Sequence, residues 1–126
     1  MVLLLDTHKK DVSSSEAHLR VVTSPIFNKR MELIETRFNE LISLFQNKKW
    51  QQAVEVATVE FEEMHELFET SVPSFSYRQK ETLVLTKELA LEKDILVTMD
   101  AGSNVHLLFR DEDLSLAKTI KNKYSF

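Results

Sequence analysis

The 126-residue sequence predicts an α+β domain in which helices cover a small antiparallel sheet, a ferredoxin-like, split-βαβ plan. Three observations predict it. Short apolar runs stand at the start ("VLLL") and near the end ("ILVTM" and "VHLLF"). The stretch between them carries apolar residues at helical spacing. The two late runs flank the only glycine of the chain, Gly102, within the turn-forming "DAGSN". The order is therefore one strand, several helices, two strands and a helix, in a single domain over residues 1–126.

Met1 to Asp6 reads as a buried strand. Ser13 and Glu16 stand in S-x-x-E spacing, the capping box of a short helix. Ser24 followed by Pro25 reads as an N-cap with proline at the first helical position. Met31, Ile34, Phe38, Leu41 and Phe45 share one helical face, and Trp50, Val54, Ala57, Phe61, Met64 and Phe68 share a face of the next helix. The short link Asn47-Lys48-Lys49 makes these two an antiparallel hairpin. Pro73 interrupts the pattern in "SVPSFSY"; Ser76 and Gln79 then cap a helix to about Lys93. Leu114, Ala117 and Ile120 mark a last amphipathic helix after the acidic Asp111-Glu112-Asp113.

With 43% hydrophobic and 29% charged residues the composition is that of a folded globular domain. Absence of cysteine excludes a disulfide framework, a thiolate metal site and a cysteine nucleophile, and fits a cytoplasmic protein. A net charge of -4, with lysines and arginines scattered among acids, argues against a nucleic-acid surface. The opening apolar run is too short for a membrane span. No secretory leader is recognisable.

Glu62 and His65 form an E-x-x-H spacing, but a carboxylate-bridged metal pair needs a second such motif, and none exists here. We read the pair as a polar helix edge, with no metal site. Ser13, Ser14 and Ser15 read as capping residues, since without glycine a backbone cannot readily wrap a phosphate. One glycine cannot build either nucleotide-binding loop. Asp100 stands out instead. It ends an apolar strand in a setting expected to be partly dry, with nothing in its immediate sequence to neutralise it.

Three stretches together resemble one family. "TMDAGSNV" resembles the TMDAGPNV-type motif of diphosphomevalonate decarboxylases, in the GHMP small-molecule kinase superfamily. "KKDVSSSEAHLRVVTSPIFNKR" is similar to the segment that opens that family's C-terminal domain, and "MHELFETSVPSFSY" to its Met-His stretch ending in Pro-x-Phe-x-Tyr. The blocks follow the family's order from Val2 to Phe109. One departure is visible: Ser103 replaces the family's proline.

The resemblance implies a GHMP-type C-terminal domain whose N-terminal, ATP-binding domain is absent from this chain. It implies Mg²⁺- and ATP-dependent decarboxylation of diphosphomevalonate to isopentenyl diphosphate, an isoprenoid precursor. Asp100 is then the catalytic residue facing the 3-hydroxyl, and Ala101, Gly102 and Asn104 contact substrate. Gly102 lets the backbone turn tightly and approach the ligand. Implied partners are the N-terminal domain and a second copy in a homodimer. Phe75 and Tyr77 are expected to be partly exposed and to drive that association. Alternatives are a related kinase or phosphomevalonate decarboxylase, or a non-catalytic module of the same fold.

Overall fold

The computed structural model describes residues 1–6 and 10–124; Lys9 of the "KKD" block and the terminal Ser125 and Phe126 lie outside the described residues. The elements are β1 (Val2–Leu3), α1 (Ser14–Arg20), α2 (Phe27–Gln46), α3 (Trp50–Thr70), α4 (Lys80–Leu89), β2 (Leu96–Met99), β3 (Val105–Leu108) and α5 (Leu114–Lys123). Single 3₁₀ turns precede α2 and α5, at Val21–Thr23 and Asp111–Asp113.

The three strands form an antiparallel sheet in the order β1-β3-β2, with Leu3 opposite Val105 and Met99 opposite Val105 on the other side. Alternate residues face opposite ways. Leu3, Val97, Met99, Val105 and Leu107 therefore form one buried cluster with Phe61 of α3, Leu85 and Leu89 of α4, and Ile120 of α5. Val2 and Leu108 belong to the other alternation and are exposed. The first strand is two residues long, shorter than the expected Met1 to Asp6.

Ser13 caps α1 as its spacing requires, accepting a hydrogen bond at 3.1 Å from the Glu16 amide. Ser24 does not cap α2. It makes a turn two residues earlier, where its Oγ accepts from the Ile26 amide and meets Thr70 Oγ1 at 2.7 Å, so the helix starts at Phe27. Nor does Ser76 cap α4: its hydroxyl donates to Glu69 and accepts from the Arg78 amide. That helix ends at Leu89, short of Lys93.

The α2–α3 hairpin forms as expected, but through another face of α2. After Phe27 at its start, its least exposed residues are Arg30, Leu33, Arg37, Leu41 and Leu44. Arg30 is buried and paired with Glu60, while Arg37 bonds both oxygens of Glu63 at 2.5 and 2.9 Å. These bidentate and buried pairs fix the helix rotation. Met31, Ile34, Phe38 and Phe45 are left pointing outward. Among the described residues no helix is long and apolar enough to cross a membrane.

Candidate active site

The pairing of Met99 with Val105 closes the ladder and leaves residues 100–104 as the connection between β2 and β3. Asp100 is the first residue past the strand. Its side chain is 66% exposed, which corrects the expectation of a dry carboxylate. It also has nitrogen-bearing neighbours that its immediate sequence does not show. Lys10 Nζ donates to the carbonyl of Ala101, and His106 Nε2 lies 3.9 Å from Asp100 Oδ2.

Gly102 is buried between these groups, and its φ is not positive. The turn itself therefore does not demand glycine. A Cβ there would meet Asp100 Oδ1 at 2.8 Å and Lys10 Nζ at 3.2 Å. Glycine is needed because a carboxylate and an ammonium group fold over it.

Asn104 Oδ1 accepts from the Leu5 amide at 3.1 Å, which ties this connection to the end of β1. Among the described residues its NH₂ group donates to no partner, which leaves it to a ligand. Asp100, Gly102 and Asn104 share one cleft of about 270 Å³ with Asp6, Lys10 and Ser103. A neighbouring cavity of about 320 Å³ continues from Lys10 and Ser103 toward Tyr77 and Gln79. Ala101 does not line the cleft. It packs downward on a cluster holding Val12, Phe68 and Tyr77.

That cluster is an aromatic floor. Phe68 stacks on Phe75 at 5.3 Å, and Tyr77 meets both edge-on at 5.3 and 5.4 Å. Tyr77 is 7% exposed and Phe75 only half-buried, so Tyr77 is not the open side chain the sequence suggested. Its hydroxyl donates to the Val12 carbonyl at 2.8 Å, and Lys10 Nζ sits 5.4 Å from its ring centre. Tyr77 thus holds the segment that carries Lys10.

His65 also belongs to this floor, fully buried, with its ring edge-on to Phe61, Phe68 and Tyr77. Among the described residues neither ring nitrogen makes a hydrogen bond of good geometry, although the Asp100 backbone lies near enough to favour the charged form. Burial, aided by the charge of Arg78, pushes its pKa down to about 4; Glu69 and Asp100 act in the opposite direction. It is not a polar helix edge. Glu62 turns away to pair with Arg78, so the E-x-x-H residues do not converge.

The structure brings together Asp100, Gly102 and Asn104 and sets Ala101 beneath them. Lys10 is the cleft residue that sequence reasoning missed. Its signal was in the "KKDV" block, read only as a domain opening.

A family model described as the mevalonate 5-diphosphate decarboxylase C-terminal domain matches residues 1–125. Among solved structures, a mevalonate diphosphate decarboxylase from Legionella pneumophila is 36% identical with a TM-score of 0.88, over 98% of this chain and 41% of that one. The mevalonate pyrophosphate decarboxylase from Streptococcus pyogenes is 28% identical with a TM-score of 0.84, again over 98% and 41%. A structure of MDDEF in complex with MVAPP, AMPPCP and magnesium is 25% identical with a TM-score of 0.84, over 98% and 40%. The chain thus spans about two fifths of the length of these proteins. No curated protein sequence matches.

Proposed function

The chain belongs to the mevalonate 5-diphosphate decarboxylase C-terminal domain family, and from that premise we propose that Asp100 is the catalytic carboxylate of an ATP-dependent decarboxylase acting on mevalonate diphosphate. The observation that carries this reading is the placing of Asp100 on the rim of a cleft, folded over the one glycine beside Lys10.

A carboxylate is too weak a base to ionise a tertiary alcohol outright. It accepts the hydroxyl proton as that oxygen takes the γ-phosphoryl group, and orients the oxygen until then. The C–O bond to phosphate then breaks, and the electron pair of the C–CO₂⁻ bond forms the new double bond as CO₂ leaves. The charge of Asp100 favours the electron-poor carbon that develops. Among the described cleft residues Lys10 fits an anionic oxygen, and Asn104 NH₂ can hold substrate. ATP and Mg²⁺ supply the phosphoryl group and neutralise its charge. With a net charge of -4, this chain offers a diphosphate little positive potential, so the rest of the phosphate contacts belong to the N-terminal domain of the full enzyme.

In this reading the domain has the ferredoxin-like plan of GHMP enzymes and works in the cytoplasm as part of a homodimer. The test is product formation. The longer polypeptide should convert mevalonate diphosphate and ATP to isopentenyl diphosphate, phosphate, ADP and CO₂, while this chain alone should not. Turnover by the isolated chain would refute the division of labour, and no turnover by the longer one would refute the activity.

A further inference from the structure

Helix α3 carries one polar side chain that the phosphoryl-transfer chemistry leaves unused. His65 is fully buried, with Phe61, Phe68 and Tyr77 edge-on at ring-centre distances of 6.4, 5.5 and 6.4 Å. A neutral imidazole has one N–H to donate, and burial keeps this ring neutral above a pKa of about 4. Buried donors find acceptors in the great majority of cases, because an unpaired one has given up its water without replacement. Leucine would fill much of the same space without that cost.

The fold places an acceptor over the ring. Phe61, His65 and Phe68 stand at i, i+4 and i+7, on one face of the helix. Phe61 packs in the cluster that holds Met99, and Phe68 in the cluster that holds Ala101. His65 therefore lies under the residue between those two, Asp100. The Asp100 carbonyl is one residue past the ladder and, among the described residues, accepts no hydrogen bond outside it. A donor without an acceptor thus adjoins an acceptor without a donor. The Asp100 backbone also acts on the ring as a carbonyl does: it favours the protonated imidazole, whereas an amide N–H would favour the neutral one.

We propose that His65 is a positioning residue, whose ring N–H donates to the main-chain carbonyl of Asp100 and so sets the carboxylate against the hydroxyl it serves. This rests on the reading of Asp100 as the catalytic carboxylate. The carbonyl carbon is bonded to the Cα that bears the side chain, so fixing one restrains the direction of the other. Lys10 donates to the next carbonyl, that of Ala101, from the cleft. The two peptide groups that follow the carboxylate are then gripped from core and cleft together. The alignment in this structure falls short of a full bond. Completing it takes a small turn of the ring or of the 100–104 connection, and catalytic hydrogen bonds commonly tighten only in the working complex.

Steady-state kinetics on the longer polypeptide separate positioning from a purely structural role. His65→Leu should lower kcat by roughly 10- to 100-fold with KM within about threefold. His65→Asn and His65→Gln place an amide N–H where Nδ1 and Nε2 stand, and one of the two should recover most of that loss. In an Asp100→Asn background, His65→Leu should lower kcat by less than about threefold, because no base is left to place. An equal effect in both backgrounds, no recovery in either amide variant, or an unchanged kcat in His65→Leu overturns the proposal and leaves the role of Asp100 standing. Near-normal kcat in Asp100→Asn alone removes that role and the proposal with it. A crystal structure of the longer polypeptide with mevalonate diphosphate reads the bond without mutation. A ring nitrogen within about 3.2 Å of the Asp100 carbonyl oxygen is expected. A ring that is unpaired there, or paired with another group, refutes the assignment even if every variant at position 65 fails to fold.

Discussion

A Cβ at position 102 would lie 2.8 Å from Oδ1 of Asp100, closer than such atoms approach without displacement. The single glycine of the chain is thus defined by the carboxylate that folds over it, with Lys10 Nζ as the second neighbour at 3.2 Å. Both contacts are the far ends of flexible side chains, so Gly102→Ala should leave stability within about 1 kcal/mol. Displacing the carboxylate by even part of an ångström should still lower kcat by roughly 10- to 100-fold. Paired melting and steady-state measurements on the longer polypeptide check this; an unchanged kcat would separate Asp100 placement from turnover.

Asp100→Asn keeps the shape and a hydrogen-bonding oxygen but loses the charge and the proton acceptor. Turnover should fall by roughly 10²–10⁴, the usual cost of removing a general base, with KM within about tenfold. Near-normal kcat in this variant would return Asp100 to the status of a turn residue.

Tyr77→Phe removes one oxygen from a buried contact and leaves the Val12 carbonyl without its donor. The expected loss is about 1–2 kcal/mol in urea unfolding. The ring beneath Lys10 is retained, so Tyr77→Leu should destabilise further by removing the packing of Phe68 and Phe75 as well. Equal stability of the two variants would contradict the aromatic floor.

His65 is uncharged in the folded chain, with a pKa of about 4 against an ordinary value of 6.5. The unfolded chain binds the extra proton first as pH falls, so stability should decline from about pH 6.5 toward pH 4, by up to roughly 3 kcal/mol. The lowered carboxyls of Glu63 and Glu69, held by Arg37 and Arg78, add their own losses only below the ordinary glutamate range. His65→Leu should therefore flatten the melting profile between pH 6.5 and 4.5. Parallel profiles for the two chains would show that another group governs this window.

Much of the site was legible because it is contiguous. Asp100, Gly102 and Asn104 lie within five residues, and a strand-turn-strand pattern keeps such neighbours together. Lys10 and Tyr77 were not legible as partners of Asp100. They come from separate stretches, and only packing sets the Lys10 ammonium over the Tyr77 ring and against the Ala101 carbonyl.

By itself the sequence determined the element order, the capping of α1 by Ser13, the antiparallel hairpin of α2 and α3, and the family to which the chain belongs. Those follow from local periodicity, from turn chemistry and from residues in fixed order. The tertiary structure decided which face of each helix is inside. Periodicity marks an apolar stripe but cannot say what meets it. On α2 the ion pairs of Arg30 with Glu60 and of Arg37 with Glu63 won that contest, turning Met31, Ile34, Phe38 and Phe45 out to solvent. Likewise His65 looks polar on paper and is buried in fact, because Tyr77 from beyond the helix closes over it together with Phe61 and Phe68 of α3 itself.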